Sequence, residues 1–436
     1  MALIPEIAVR TVRRESPARA PLAVDICVVG SGAAGTSAAL EAAALGKRVA
    51  IVDAAPSPGG QAVSSLIGTF CGLYGNGPDP IRVTYGVAGA MLAALKAKGV
   101  AHARPARNTR IVLYDEQALA RWVEDSLLDA DVLPLFGAVL RGAEVANGRV
   151  AALDLASRWG DLRIEAEGFV DATGDGALCW LAGAELQQPE TPIWGSVMFT
   201  LEGVDGAKAG AIPRPVIHDA LRARGRDHGL CREDGFVFPV PGRDIALVNM
   251  THIETPLDPV GGSRAVLSGR AQVDRLVGFL KAEFPDAFAG ASVRSYGLPG
   301  IRQTRWIRGR HRITVDEVLS GTRPADAIAR CSWPIELHYA ADAVHWQEFG
   351  DDHMHYVPFG AMTPAALGNV VAAGRCIDGD PAALSSVRVM GPCIAMGAAA
   401  AHALDLAGAG SVHQLDIAAL QDRVRDNLQG VERDTW

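Results

Sequence analysis

The sequence contains no C-x-x-C pair, and its seven cysteines stand apart at 27, 71, 179, 231, 331, 376 and 393. Redox-disulfide chemistry, iron–sulfur ligation and cysteine-rich zinc binding lose their usual spacing with it. Scattered thiols fit a reducing, cytoplasmic setting. Positive charge is also scarce: a formal net charge of −8 argues against a nucleic-acid groove or an anionic membrane surface as main partner. Arginines stand at 10, 13, 14 and 19 without an apolar stretch behind them, so Arg13-Arg14 is a poor export signal. The most apolar helix, from Pro392 onward, is interrupted by His402 and Asp405, which is wrong for a membrane span. The expected partner is a small-molecule substrate, with homo-oligomers left open.

What is present points to an α/β enzyme. A chain of 436 residues holds two or three domain-sized units and at least one large core. Abundant glycine and alanine suit tight strand-to-helix turns. Residues 24 to 53 read VDICVVGSGAAGTSAALEAAALGKRVAIVD. Val24 to Val29 is a short apolar run suited to a strand buried on both faces. The pattern Gly30-x-Gly32-x-x-Gly35 follows, then an Ala-rich helix closed by Gly46, then a second apolar strand ending at Asp53. Gly30 permits the tight turn, Gly32 lets a pyrophosphate approach the backbone, and Gly35 allows close helix–strand packing. The helix start offers free N–H groups and partial positive charge, and Asp53 stands where a carboxylate meets the adenosine ribose. Strand, turn, helix, second strand and acid agree on dinucleotide binding, where a lone glycine pattern among 48 glycines would not.

Gly59-Gly60 lie just beyond the acid, where a nicotinamide-only site has no obvious need for them. Later, FVDATGDGALCWLAGAE gives a strand (Phe169 to Asp171) running into Ala172-Thr173-Gly174, and NVVAAGRCIDGD gives another ending in Gly374-Arg375 and Asp378. With the Arg-rich IRQTRWIRGRHRITVDEVLSG at 301 to 321 and the segment from Tyr356 through Met390-Gly391-Pro392-Cys393-Ile394, the chain resembles the FAD-dependent oxidoreductase family of the glutathione-reductase-like flavoproteins. Residues 185 to 295 carry little of that resemblance, and Asp53 replaces the more usual Glu. The resemblance implies FAD as cofactor, held by Gly30, Ser31, Gly32, Ala33, Ala34, Gly35, Asp53, Ala54, Gly59, Gly60, Gln61, Val139, Ala172, Thr173, Gly174, Gly374, Arg375, Asp378, Met390, Cys393 and Ile394. It also places the start of the Pro392 helix at the flavin pyrimidine ring, where a helix N-terminus favours the negative charge of reduced flavin. Proline suits that first turn.

The implied fold is α/β, a Rossmann-like FAD-binding domain with an inserted α+β substrate domain. Residues 1–185 and 356–436 form the discontinuous FAD-binding domain, and 186–355 the substrate-binding domain. Within the insert, residues 235 to 255 read as two strands joined by the Pro241-Gly242 turn, and 263 to 284 have helical apolar spacing.

No second glycine fingerprint follows, which argues against a disulfide reductase with its own nicotinamide domain. The leading expectation is a dehydrogenase or oxidase that moves a hydride from a C–H beside a hydroxyl or amine to flavin N5, with oxygen or another acceptor downstream. An NAD(P)H-dependent flavin monooxygenase or reductase, and a non-catalytic FAD-binding protein, stay open. Dehydrogenation asks for a base, which histidine suits, and for arginines if the substrate carries a carboxylate. His338 in WPIELHYA matches a family position with an acid two residues before it, here Glu336; the alternative is a surface histidine. GDDHMHYVPFG at 350 to 360 places His353 and His355 two apart, facing one way on an extended chain. They stand as active-site or loop histidines. A metal would need one more ligand, with only Asp351 close by, and no metal is expected. Arg305 is a catalytic candidate, and Cys71, Arg302, Arg388 and Tyr356 are substrate candidates against structural or packing roles. His102, His218, His228, His252 and His311 read as surface or core histidines.

Overall fold

The computed structural model describes residues 8–11 and 21–436, so Arg13, Arg14 and Arg19 lie outside the described residues. The apolar run at 24 to 29 extends to a strand, Leu22–Val29, flanked on both sides by parallel neighbours. Strands Leu133–Phe136, Val49–Asp53, Leu22–Val29 and Gly160–Asp171 stand in that order, all parallel. Residues Ile26, Cys27, Val28 and Val29 and the residues Val49 to Val52 are buried on both faces, as a sheet covered by helices requires, whereas Leu133 and Pro134 of the edge strand are exposed.

The Gly160–Asp171 strand divides its outer edge between two partners. Its first half pairs antiparallel with Arg149–Ser157, which pairs in turn with Ala138–Ala146. Its last residues, Phe169 to Asp171, pair in parallel with Val370–Ala372. The late strand therefore completes the sheet at the end where the fingerprint turn lies.

That turn is tight because only glycine fits it. Gly30 has φ +101°, and a Cβ there would fall 2.3 Å from the carbonyl oxygen of Ala172. A Cβ on Gly35 would fall 1.8 Å from the carbonyl oxygen of Gly30, as expected for a helix packed hard on its turn. Helix Ala33–Ala44 follows, and helix Met390–Ala407 lies across it. Their backbones touch at Gly397, whose Cβ would stand 2.1 Å from the carbonyl oxygen of Ala34, and Ser37 Oγ donates to the Ile394 carbonyl at 2.8 Å.

Helix Met390–Ala407 is long and apolar enough to cross a membrane by length and composition, but nearly all of it is buried in the core. Full burial of Ile394, Met396 and Leu404 contributes roughly 1.5–3 kcal/mol each. Asp405 is offset by ion pairs to Lys47 and Arg423.

A second core forms around an antiparallel sheet ordered Phe236–Pro239, Ile245–Asn249, Phe199–Glu202, Ser292–Tyr296. The first two strands flank the expected Pro241-Gly242 turn, and helix Pro259–Glu283 covers the sheet with Val273, Leu276, Phe279 and Leu280. From Trp306 onward the chain packs in the first core through Ile307, Ile328 and Val357. The segment 186–355 thus contributes to both cores, with residues 197 to 301 building the second.

Candidate active site

The carboxyl ends of the parallel strands bring most of the predicted cofactor residues to one crevice. Ala172 N–H donates to the Val29 carbonyl at 2.8 Å, and Gly59 N–H to the Ser31 carbonyl at 2.9 Å. A Cβ on Gly60 would lie 2.7 Å from Gly32 Cα, one on Gly174 2.3 Å from the Arg375 guanidinium, and one on Gly374 3.4 Å from Ala34 Cβ and 3.8 Å from Cys393 Sγ. Thr173 Oγ1 donates to Asp171 at 2.7 Å, holding the Ala-Thr-Gly turn against the strand end. Gln61 lies in the short helix Gly60–Ser64, and Met390 and Ile394 in the first turns of the late helix. Crevices outside strand ends are where this architecture holds dinucleotides.

Asp53 is drawn back onto its own loop. Its Oδ2 accepts from Ser31 N–H at 2.7 Å and Ser31 Oγ–H at 2.6 Å, and its Oδ1 accepts from Ala55 N–H at 2.8 Å. A carboxylate offers about four acceptor positions, so roughly one is left for a ribose hydroxyl. Gly137 N–H donates to the Ala55 carbonyl at 2.8 Å, which brings exposed Val139 near exposed Ala54.

A dinucleotide fits this crevice. A Cβ on Gly32 would meet no atom within 4 Å, and the helix behind it has neither side-chain cap nor acidic residue in its first turn. Arg375 Nη1, 3.5 Å from Asp175 Oδ1, has no hydrogen-bond partner. Asp378 is tied into the fold: its Oδ1 accepts from Gln187 Nε2 at 2.7 Å and its Oδ2 from Gly309 N–H at 2.9 Å, so it joins two segments beside the crevice.

Beside the crevice lies a buried polar cluster. His338 Nε2 is 3.0 Å from Glu336 Oε1, and His338 Nδ1 is 2.8 Å from His252 Nε2. His252 Nδ1 is 2.7 Å from the Ala341 carbonyl, and Glu336 Oε2 accepts from Trp333 Nε1 at 3.2 Å. Both imidazoles are fully buried, whereas Glu336 keeps 17% of its side chain exposed. Three arginines stand around them. Arg302 donates to the Trp194 carbonyl at 2.7 Å and to Ser196 Oγ at 3.1 Å. Arg388 donates to the Glu336 carbonyl at 3.1 Å. Arg232, nearly without exposure, pairs with Asp234 at 2.6 Å and leaves Nη2 unpartnered.

Burial first, then Arg302, Arg232 and Arg388, pushes His338 well below the ordinary histidine value. Burial likewise lowers His252, with Arg232 next. Arg302 is pulled well down by burial and by the other two arginines, and Arg388 is pulled to about 10, chiefly by burial. With three arginines against Asp234 and Glu336, the cluster carries an excess positive charge suited to an anion.

Of the predicted catalytic residues, only His338 belongs to this cluster. His353 and His355 bind each other instead, Nε2 to Nδ1 at 3.2 Å, and His355 Nε2 is 2.8 Å from Ser386 Oγ. Ser386 gives its proton to the Trp333 carbonyl at 2.6 Å, so His355 Nε2–H donates to it and His355 Nδ1 accepts from His353. Both His355 nitrogens are spent inside the protein, and burial pushes its pKa to about 3. His353 stacks on Phe349 with ring centres 3.9 Å apart, and Asp351 turns to Asn108 at 3.0 Å. Arg305 lies over the ring of exposed Trp180 at 4.0 Å, and Tyr356 faces Arg323 at 5.4 Å; neither touches the cluster. Cys71 is placed near Glu336, whose charge adds to the burial that raises its thiol.

His252, Arg232 and Ser196 are members that sequence reasoning missed. His252 is 86 residues from His338 in sequence and follows the end of the Ile245–Asn249 strand. The only local signal is that strand end, which faces the returning chain.

The family described as FAD dependent oxidoreductase matches residues 25–424. No curated protein matches the chain. Among solved structures, p-nitrophenol 4-monooxygenase PnpA from Pseudomonas putida DLL-E4 is similar at TM-score 0.50 and 11% identity, covering 93% of this chain and 85% of that one. A geranylgeranyl bacteriochlorophyll reductase-like protein from Thermoplasma acidophilum is similar at TM-score 0.49 and 12% identity, covering 95% and 85%. At such identity the likeness to the monooxygenase speaks for a shared fold alone.

Proposed function

Since the chain belongs to the FAD dependent oxidoreductase family, we propose that it is a dehydrogenase or oxidase of a small organic acid, acting at a C–H beside a hydroxyl or amine. The observation that carries this reading is the buried Glu336–His338–His252 chain set among Arg302, Arg388 and Arg232 beside the strand-end crevice. It joins a proton acceptor to an anion clamp, the two groups such an oxidation needs.

FAD, when bound, takes up the hydride. Gly30 to Gly35 and Arg375 would hold its pyrophosphate, Asp53 the adenosine ribose, and residues 390 to 394 the flavin end. The remaining work falls to this chain's own side chains. Arg302 and Arg388 bind and orient the substrate carboxylate. The Glu336–His338 pair takes the proton of the hydroxyl or amine as the C–H bond breaks. Both imidazoles are fully buried, and the exclusion of water around them strengthens each of these charged contacts. All seven cysteines are unpaired, which supports a reducing, cytoplasmic setting.

The test is anaerobic mixing of the FAD-loaded protein with hydroxy acids, amino acids, alcohols, amines, NADH and NADPH, following flavin absorbance. Bleaching by a hydroxy or amino acid is the expected outcome. Rapid bleaching by a nicotinamide alone sinks the proposal in favour of a monooxygenase or reductase. Bleaching by none of them, with normal dithionite reduction, favours a non-catalytic FAD-binding role.

A further inference from the structure

Three contacts join Glu336, His338, His252 and the Ala341 carbonyl, and their protons can be counted. The Ala341 carbonyl only accepts, so His252 Nδ1 carries the proton of that 2.7 Å bond. The 2.8 Å contact between the two imidazoles needs a second proton. The 3.0 Å contact from His338 Nε2 to Glu336 Oε1 needs a third. Two neutral imidazoles supply only two. A fully bonded chain therefore holds one proton more than two neutral histidines and a carboxylate, and its net charge is zero. Without that proton, one of the two His338 contacts has no hydrogen, and a ring lone pair of His338 faces either the Glu336 carboxylate or His252 Nε2.

We propose that Glu336, His338 and His252 act as one acid–base unit that takes a single proton from the substrate at Glu336, with His252 as the positioning residue that fixes the tautomer of His338. This rests on the dehydrogenase reading. The hydride leaves the substrate carbon with both electrons for FAD, the hydroxyl or amine proton passes to the unit, and the C=O or C=N bond forms. Atoms and charge then balance, and the unit returns the proton to solvent before the next turnover.

The surroundings agree with this count. Arg302, Arg388 and Arg214 face Glu336, and Arg232, with its partner Asp234, and Arg302 face His252. Cys71 lies close to Glu336, and its raised thiol stays neutral. The arginines oppose a cationic His338. Glu336 is also the only member of the chain with exposed surface, so proton exchange takes place there. His252 cannot turn over, because the Ala341 carbonyl fixes its Nδ1–H. His338 keeps its bond to His252 by presenting Nδ1–H, which leaves a bare Nε2 toward Glu336.

Two variants of His252 separate positioning from packing. The amide of His252→Gln donates to Ala341 and accepts from His338, copying both bonds. His252→Phe keeps the ring volume and removes both, freeing His338 to present Nε2–H to Glu336. Nitrogen NMR of the FAD-loaded, histidine-labelled protein is expected to show His252 as the Nδ1–H tautomer and no neutral Nε2–H tautomer at His338. His252→Phe is expected to move the acidic limb of the pH–rate profile for flavin reduction down by roughly one to two units, with lower kcat and similar KM. His252→Gln is expected to keep the wild-type limb. Finding wild-type His338 as a neutral Nε2–H tautomer overturns the proposal, as do identical limbs in all three proteins. If no substrate reduces the flavin, the dehydrogenase reading fails alone, and the NMR tautomers still decide the unit.

Discussion

Replacing Gly32 with alanine is expected to separate folding from cofactor binding. Gly32 caps its helix at φ −71°, ψ −170°, extended angles that alanine adopts without strain. A Cβ built there meets no protein atom within 4 Å. The stability of the FAD-free protein should therefore change by less than about 0.5 kcal/mol. The new methyl instead enters the space above the helix N–H groups that the pyrophosphate approaches. Hydrogen bonds to charged groups contribute ~1.5–3 kcal/mol, so loss of one weakens FAD binding roughly tenfold to a hundredfold. Gly397→Ala is the contrasting control. Its Cβ would lie 2.1 Å from the carbonyl oxygen of Ala34 and 2.8 Å from Ser37 Cβ, so one helix must move by roughly 1 Å, at a cost of ~1–3 kcal/mol. The assay is thermal unfolding of stripped protein beside FAD titration by fluorescence quenching. If Gly32→Ala binds FAD with wild-type affinity, the pyrophosphate does not approach at this turn.

Arg302→Met and Arg388→Met are each expected to raise KM for a carboxylate substrate at least about tenfold while FAD occupancy holds; steady-state kinetics and bound-flavin absorbance read the two apart. Arg305→Ala, which removes only the contact over Trp180, is expected to leave flavin reduction within about twofold, since surface changes of this kind are worth at most ~0.5 kcal/mol. His355 sits at about 3 in the fold, against 6.5 in the free chain. Between those values the unfolded chain binds a proton that the fold refuses, so stability falls as pH drops through this window, by at most ~1.4 kcal/mol per unit. Thermal unfolding against pH is expected to show a shallower acid slope in His355→Gln than in the wild type.

Features carried by local chain geometry were legible in the sequence. The fingerprint turn, the hairpin around Pro241-Gly242 and helix Pro259–Glu283 each depend on near neighbours, so spacing and turn chemistry exposed them. The polar cluster was only half legible. His338 and Glu336 sit two apart on one strand end and could be singled out, whereas His252 and Arg232 reach them only through the packing of the second core. Distance in sequence also misled in the other direction. His353 and His355 looked available because nothing nearby used them, yet Ser386 and Trp333 take up the pair from remote segments. For Arg305, its aromatic neighbour Trp180 comes from the helix Ala177–Leu181, far away in sequence, a contact that no spacing rule foretells.

The divided edge of the Gly160–Asp171 strand has a consequence for biosynthesis. The fingerprint turn is made first, and Val370–Ala372 and the helix Met390–Ala407 that press against it follow about 200 residues after Asp171. Translation adds about 5–20 residues per second, so the early strands spend roughly tens of seconds outside the ribosome with one sheet edge and one helix face uncovered. During that interval the nascent chain presents unpaired backbone at Phe169 to Asp171 and the bare surface of Ala34 and Ser37, groups that invite chaperones or misassembly. Cofactor loading thereby waits for residues 370 to 407 to emerge, and a ribosome stalled before residue 370 would carry a chain with half a binding site.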